Sequence, residues 1–410
     1  MKEEYRSFTA SKTRSSGPSG EIAAKWQSVI RRRSFLQGLG IAGAALPAGQ
    51  LFGADNKKLT RGDAALLRLA AAIELIEADL WQQYNELGGA VDANNNPNPG
   101  NPAYIAALQN LDGDMPQYIS DNTDDELSHA AFLNAFLKSK GEQPVNLDAF
   151  RTLPSSQATG ATKGTGRLTN LQALNVDTSW YFRYRSTQNP DLGATFPQLL
   201  TMPKNGQPGI PLNDIDTPPN TSQTLPLTTP QSLRMQAIAN TAGFHFAYIE
   251  QGGSSLYPIL ALKATSLEVL RILLSIGGVE IDHFSLWHDK AGNAVAQPLA
   301  GVVDPETGLT FPDFNNPTNQ HNLNLSAADQ AAGGEMFQTN LIQPEPCQFL
   351  SADLPPCSVI RPTLTQNGGA VATIESFTAD NLFLGQLPAF FTTVMELAQA
   401  ADAVQRQAKD

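Results

Sequence analysis

The chain has 410 residues, 41% of them hydrophobic, with 32 Gly and 28 Pro, so it supports a substantial core yet spends much of its length in loops. Its formal net charge is −12, and because residues 1–54 hold eight Lys or Arg against three Asp or Glu, the remainder carries −17. Such a surface repels phosphate backbones and anionic lipid, which argues against a nucleic-acid partner.

Residues 1–54 read as a targeting segment and N-terminal extension. The run "RRRSFLQGLGIAGAALPAG" begins at Arg31. It resembles the twin-arginine export signal of bacteria, whose pattern R-R-x-F-L stands at Arg32, Arg33, Phe35 and Leu36. Its apolar part is short and small in side chain, so no stable membrane span is expected after cleavage. The resemblance implies the twin-arginine export machinery as a partner and a periplasmic or extracellular destination. Cleavage is expected between Ala48 and Ala54, with an uncleaved anchor as the alternative, and the resemblance implies loading of any metal before export.

The first helix is expected from a cap at Asp63 to about Leu87, with Leu66, Leu69, Ile73, Leu80 and Tyr84 at helical spacing. An insert at 88–114 opens with the turn-rich "GGAVDANNNPNPGNP" and holds a short helix at 103–111. A second long helix spans 115–139. Residues 141–229 form a long irregular crossover. A third helix fits 230–257, ended or kinked by Pro258. "TSLE" at 265–268 reads as the capping box of a fourth helix, "LEVLRILLSIGGVEIDHFSLWHD". Residues 291–410 form a loop-rich extension plus a last helix at 380–407, which packs on the domain of residues 55–290. No strand-rich block appears, so the fold class is all-α. Cys347 and Cys357 lie in a Pro-rich loop and are expected to form a disulfide outside the cytoplasm.

The polar residues on these helices repeat. Glu126-x-x-His129 in the second helix is matched by Glu280-x-x-His283 in the fourth, each pair on one face among apolar neighbours. Chance placement would give about 0.2 such matches. Glu77 is followed seven residues later by Tyr84, and Glu250 by Tyr257, each Tyr on its Glu's face. Glu74, one turn before Glu77, is a rival ligand; the Tyr84 spacing favours Glu77 and leaves Glu74 supporting or solvated. Tyr84 and Tyr257 are either core aromatics or donors to ligand carboxylates across the bundle. His245 reads as a structural histidine, His288 and His321 as unconnected with metal, and Asp282 as facing away. Gly252, Gly253, Gly277 and Gly278 either permit close helix approach or merely weaken the helices.

Four Glu and two His supplied in this manner by four helices suit two divalent cations. Four carboxylates balance four positive charges, two of them can bridge, and two imidazoles complete the set. The pattern E-x6-Y, E-x-x-H, E-x6-Y, E-x-x-H resembles the ferritin-like superfamily, with bacterioferritins and rubrerythrin as familiar members. A closer likeness is its group of plant desiccation-related proteins and exported bacterial homologues, in "DELSHAAFL" and "GEQPVNLDAF". The resemblance implies a ferritin-like four-helix bundle with a long crossover, a fifth C-terminal helix and large loop-rich inserts. It implies two iron or manganese ions held by Glu77, Glu126, His129, Glu250, Glu280 and His283, with Tyr84 and Tyr257 behind them. Redox chemistry of oxygen or peroxide, ferroxidase- or catalase-like, is the activity it implies. The alternative is a stress-related envelope protein whose metal is structural or lost.

Overall fold

A 28-residue helix, α1 (Arg61–Gly88), carries apolar residues around most of its circumference, from Leu66 and Leu67 to Trp81 and Tyr84. A helix that is apolar all round belongs inside a protein, and α1 is the inner wall on which the rest is built. The computed structural model describes residues 58–92, 96–183, 198–314 and 368–406, all within the unit Gly53–Asp410. These residues are helices and loops, with isolated β-bridges and no strands.

The remaining helices are α2 (Pro102–Leu111), α3 (Met115–Ser139), the single turn α4 (Trp180–Arg183), α5 (Pro230–Lys263), α6 (Leu267–Gly292), α7 (Ala370–Ala379) and α8 (Pro388–Asp402). α1 packs along α3 and α5 along α6; α8 lies on α1 and α2 on α5. The expected bounds of the second helix coincide with α3.

Four local expectations are corrected. Thr60, not Asp63, caps α1, its Oγ1 accepting from the Asp63 N–H at 3.0 Å. The Asp63 carboxylate instead accepts from the Thr265 and Ser266 N–H groups at 2.8 and 3.1 Å, placing an anion at the start of α6. Ser266 is the α6 cap, accepting from Val269 N–H at 3.2 Å, so the capping signal sits one residue later than read. α5 runs through Pro258 to Lys263. The last helix is shorter than expected, α8 running only from Pro388 to Asp402, because Asn381 and Gly385 adopt φ of 64° and 94° and Pro388 opens the first turn, while α7 lies before the expected span, in the stretch read as loop.

The crossover between α3 and α5 is held by polar anchors. Buried Asp79 on α1 accepts from Leu168 and Thr169 N–H groups, each at 2.9 Å, and pairs with Arg151 at 2.6 Å. Trp180 and Tyr181 of α4 are buried against Phe244 and His288. No helix among the described residues is long and apolar enough to cross a membrane. Arg32, Arg33, Phe35, Leu36, His321, Cys347 and Cys357 lie outside the described residues.

Candidate metal centre

The four long helices bring their polar residues to one place. Two overlapping groups have ligand atoms within 4.8 Å of one another: Glu74, Glu126, His129 and Glu280, and Glu126, Glu250, Glu280 and His283. All six residues are buried. Glu126 and Glu280 belong to both groups. Glu126 turns one oxygen to each imidazole: Oε2 lies 3.1 Å from His129 Nδ1, and Oε1 lies 3.1 Å from His283 Nδ1. Glu74 Oε2 stands 3.3 Å from His129 Nδ1, and Glu250 Oε2 stands 3.2 Å from His283 Nδ1.

Hydrogen bonds fix these carboxylates. Trp81 Nε1 donates to Glu250 Oε1 at 2.9 Å. Asn122 Nδ2 donates to Glu126 Oε1 and Glu250 Oε1 at 2.9 and 3.0 Å, and Trp287 Nε1 holds the Asn122 oxygen at 2.7 Å. The Tyr257 hydroxyl donates to Glu74 Oε1. His283 Nε2 lies 3.3 Å from Asp125 Oδ2, a contact that fixes the ring and leaves Nδ1 facing the cluster. Gly253 and Gly277 make room: a Cβ on Gly253 would collide with Glu280 Oε2, and one on Gly277 would lie 2.7 Å from Tyr257 Cβ. Gly278 has open space around it.

The cluster is electrostatically incomplete as a set of side chains. Burial, reinforced by neighbouring carboxylates, pushes the Glu77 and Glu280 carboxyls well above the usual range. Burial also pushes Glu74 up to about 8, against the pull of His129. At Glu126 burial is outweighed by hydrogen bonds from His129 and His283, which hold it below the usual range. Burial disfavours the His129 imidazolium, but Glu74 and Glu126 outweigh it and raise the ring to about 11. His283 is likewise raised by Glu250, Asp125 and Glu126 against the effect of burial. Four buried carboxylate oxygens here find no hydrogen-bond partner, both of Glu77 and both of Glu280. Oxygen and imidazole donors converging on a buried space, with oxygens left unsatisfied, fit hard or borderline divalent cations.

Of the residues read from the sequence, Glu126, His129, Glu250, Glu280 and His283 come together. Glu74, read as supporting or solvated, joins them from α1, and Glu77 is in neither four-residue group, although it is fully buried one turn further on. The motif explains the difference. Trp81 follows Glu74 by seven residues, as Tyr257 follows Glu250, and each aromatic donates to the other helix's Glu. Glu followed seven residues later by an aromatic donor marks Glu74/Trp81 as well as Glu77/Tyr84, and only Trp81 crosses to the other helix's Glu.

Tyr84 does not reach a carboxylate of the cluster and bonds instead to His245 Nδ1 at 2.8 Å, while His245 Nε2 lies 3.0 Å from Asp380 Oδ2. His245 is thus the structural histidine expected, and Asp380, held up at about 6 by burial against the pull of His245, is the partner sequence reading missed. His288 is buried among Trp180, Tyr181 and Phe284, and Asp282 is exposed. Asn122 and Asp125 also went unread, since each lies inside a polar stretch of α3 with nothing local to mark it.

Comparison with protein-family models, curated proteins and solved structures finds no match to this chain. What defines the protein is therefore the site: a helical scaffold enclosing a buried cluster of carboxylates and imidazoles able to hold metal ions.

Proposed function

We propose that the chain is a ferritin-like, four-helix di-metal protein that acts on dioxygen or peroxide through two iron or manganese ions. The observation that carries this reading is the sharing of Glu126 and Glu280 between two ligand groups, each completed by one Glu and one His: Glu74 with His129, and Glu250 with His283. When bound, the ions would exchange electrons with dioxygen or peroxide. Glu126 and Glu280 would span the two ions, while the Trp81, Asn122 and Tyr257 donors keep the terminal carboxylates aimed inward. The aromatic wall of Trp81, Phe246 and Trp287, with ring centroids 4.7–5.4 Å apart, keeps water from one side of the site.

Metal analysis of protein purified from its native host tests the proposal. About two iron or manganese per chain, lost in a Glu126→Ala/Glu280→Ala variant, is the expected result. Metal-free protein of unchanged stability would instead favour a non-catalytic envelope protein. We also propose export by the twin-arginine route; replacing Arg32 and Arg33 by Lys should strand the precursor in the cytoplasm, and normal secretion would refute it.

A further inference from the structure

Glu77 stands outside the six-residue set, and its surroundings make little sense without a ligand. It is fully buried, and neither carboxylate oxygen has a hydrogen-bond partner. Uncompensated burial of such a group is costly. The donors that serve the cluster are already engaged: Trp81 by Glu250, Asn122 by Glu126 and Glu250, Tyr257 by Glu74. Position on α1 completes the picture. Glu77 follows Glu74 by three residues and precedes Trp81 by four, so the three share one face. Glu74 reaches the group around His129, and Trp81 reaches Glu250 in the group around His283. Glu77 therefore lies, along the helix axis, between the contacts α1 makes to the two groups.

We propose that Glu77 is a fifth carboxylate ligand of the centre, giving it seven protein ligands. The inference rests on the dinuclear reading above and extends it. Two divalent cations carry four positive charges, which Glu74, Glu126, Glu250 and Glu280 already balance. Neutral imidazoles add nothing, so a fifth bound carboxylate leaves the divalent pair with one excess negative charge. Oxidation of one ion to the trivalent state removes that excess. Glu77 thus biases the centre toward its oxidised forms.

The test compares the full chain with its Glu77→Gln variant, anaerobically, by Co2+ titration followed in visible absorption and by Mn2+ calorimetry, with metal-free melting recorded alongside. Both proteins should take two ions. The variant should bind at least one of them about tenfold more weakly or worse. Its absorption per cobalt should rise, since removing a ligand lowers the coordination number, and the iron-loaded variant should show a higher reduction potential. Metal-free variant should melt no lower than wild type, because Gln replaces, at nearly the same shape, a buried carboxyl that makes no hydrogen bond. Two ions bound with unchanged affinity and cobalt spectrum would overturn the assignment of Glu77 and leave the dinuclear reading standing. A lower metal-free melting temperature with an unchanged cobalt spectrum would also overturn it, making Glu77 structural. Failure of wild type to bind either ion would overturn both readings.

Discussion

The two halves of the cluster use the same ligand types but are supported differently. On one side Glu74 and His129 come from α1 and α3, and the hydrogen bond to Glu74 comes from Tyr257. On the other, Glu250 and His283 come from α5 and α6, Glu250 accepts from both Trp81 and Asn122, and His283 is braced by Asp125. The halves also lend each other their donors: Trp81 of α1 serves Glu250, and Tyr257 of α5 serves Glu74. Neither pair of helices is complete alone. The lesson is that the repeat in the sequence is a repeat of the clustered Glu and His, whereas the frame around them differs from one half to the other.

Breaking the shared ligands should have the largest effect. Glu280→Ala removes a carboxylate from both groups, so both ions should be lost, as read by metal content after gel filtration. Breaking one half should cost one ion: His283→Ala should retain the ion near Glu74 and His129, and titration should show one tight site instead of two. A subtler probe is Asp125→Ala, which should weaken only the ion beside His283, by about 10–100-fold, leaving the other unchanged.

Loss of a single donor should read out in stability. Tyr257→Phe leaves Glu74 Oε1 without its hydrogen bond and should cost about 1–3 kcal/mol in denaturant unfolding of the metal-free chain. Trp81→Phe should cost less through Glu250, because Asn122 still donates to the same oxygen.

The pH dependence follows from groups that hold protons in the metal-free fold. Glu74 keeps its proton up to about 8 against an ordinary 4.5, and His129 keeps its proton up to about 11 against 6.5. Across both windows the folded chain binds more protons than the unfolded one, so stability of the metal-free protein falls as pH rises. His129 contributes fully below 6.5 and loses that contribution as pH rises to about 11. Glu126 works in the opposite sense, its contribution being lost on acidification below the usual range. Thermal melts should show the metal-free chain less stable at about pH 9 than at about pH 5. Mn2+ should flatten or reverse that slope, because metal binding displaces the same protons.

The helices were legible because their apolar periodicity is long and their ends carry Pro, Ser and Thr signals; α3 was read to its bounds. Five of the six clustered residues were legible, four because Glu-x-x-His places two groups on one helix face and Glu250 by its spacing to Tyr257. Glu74 was not, since choosing between two glutamates one turn apart depends on whether Trp81 or Tyr84 crosses to the opposite helix, a tertiary fact. Tyr84, His245 and Asp380 form a buried chain across α1, α5 and the turn after α7, and separations of 161 and 135 residues leave no local trace. The turn after α7 was read as helix because Leu382 and Leu384 carry the apolar pattern across Asn381 and Gly385.

The central claim is tested most directly by anomalous diffraction from crystals of the metal-loaded protein, at the absorption edge of the bound metal. The account predicts two peaks about 3.5–4 Å apart, with Glu126 and Glu280 between them, Glu74 and His129 beside one and Glu250 and His283 beside the other. A single peak, or none among these six side chains, would contradict it.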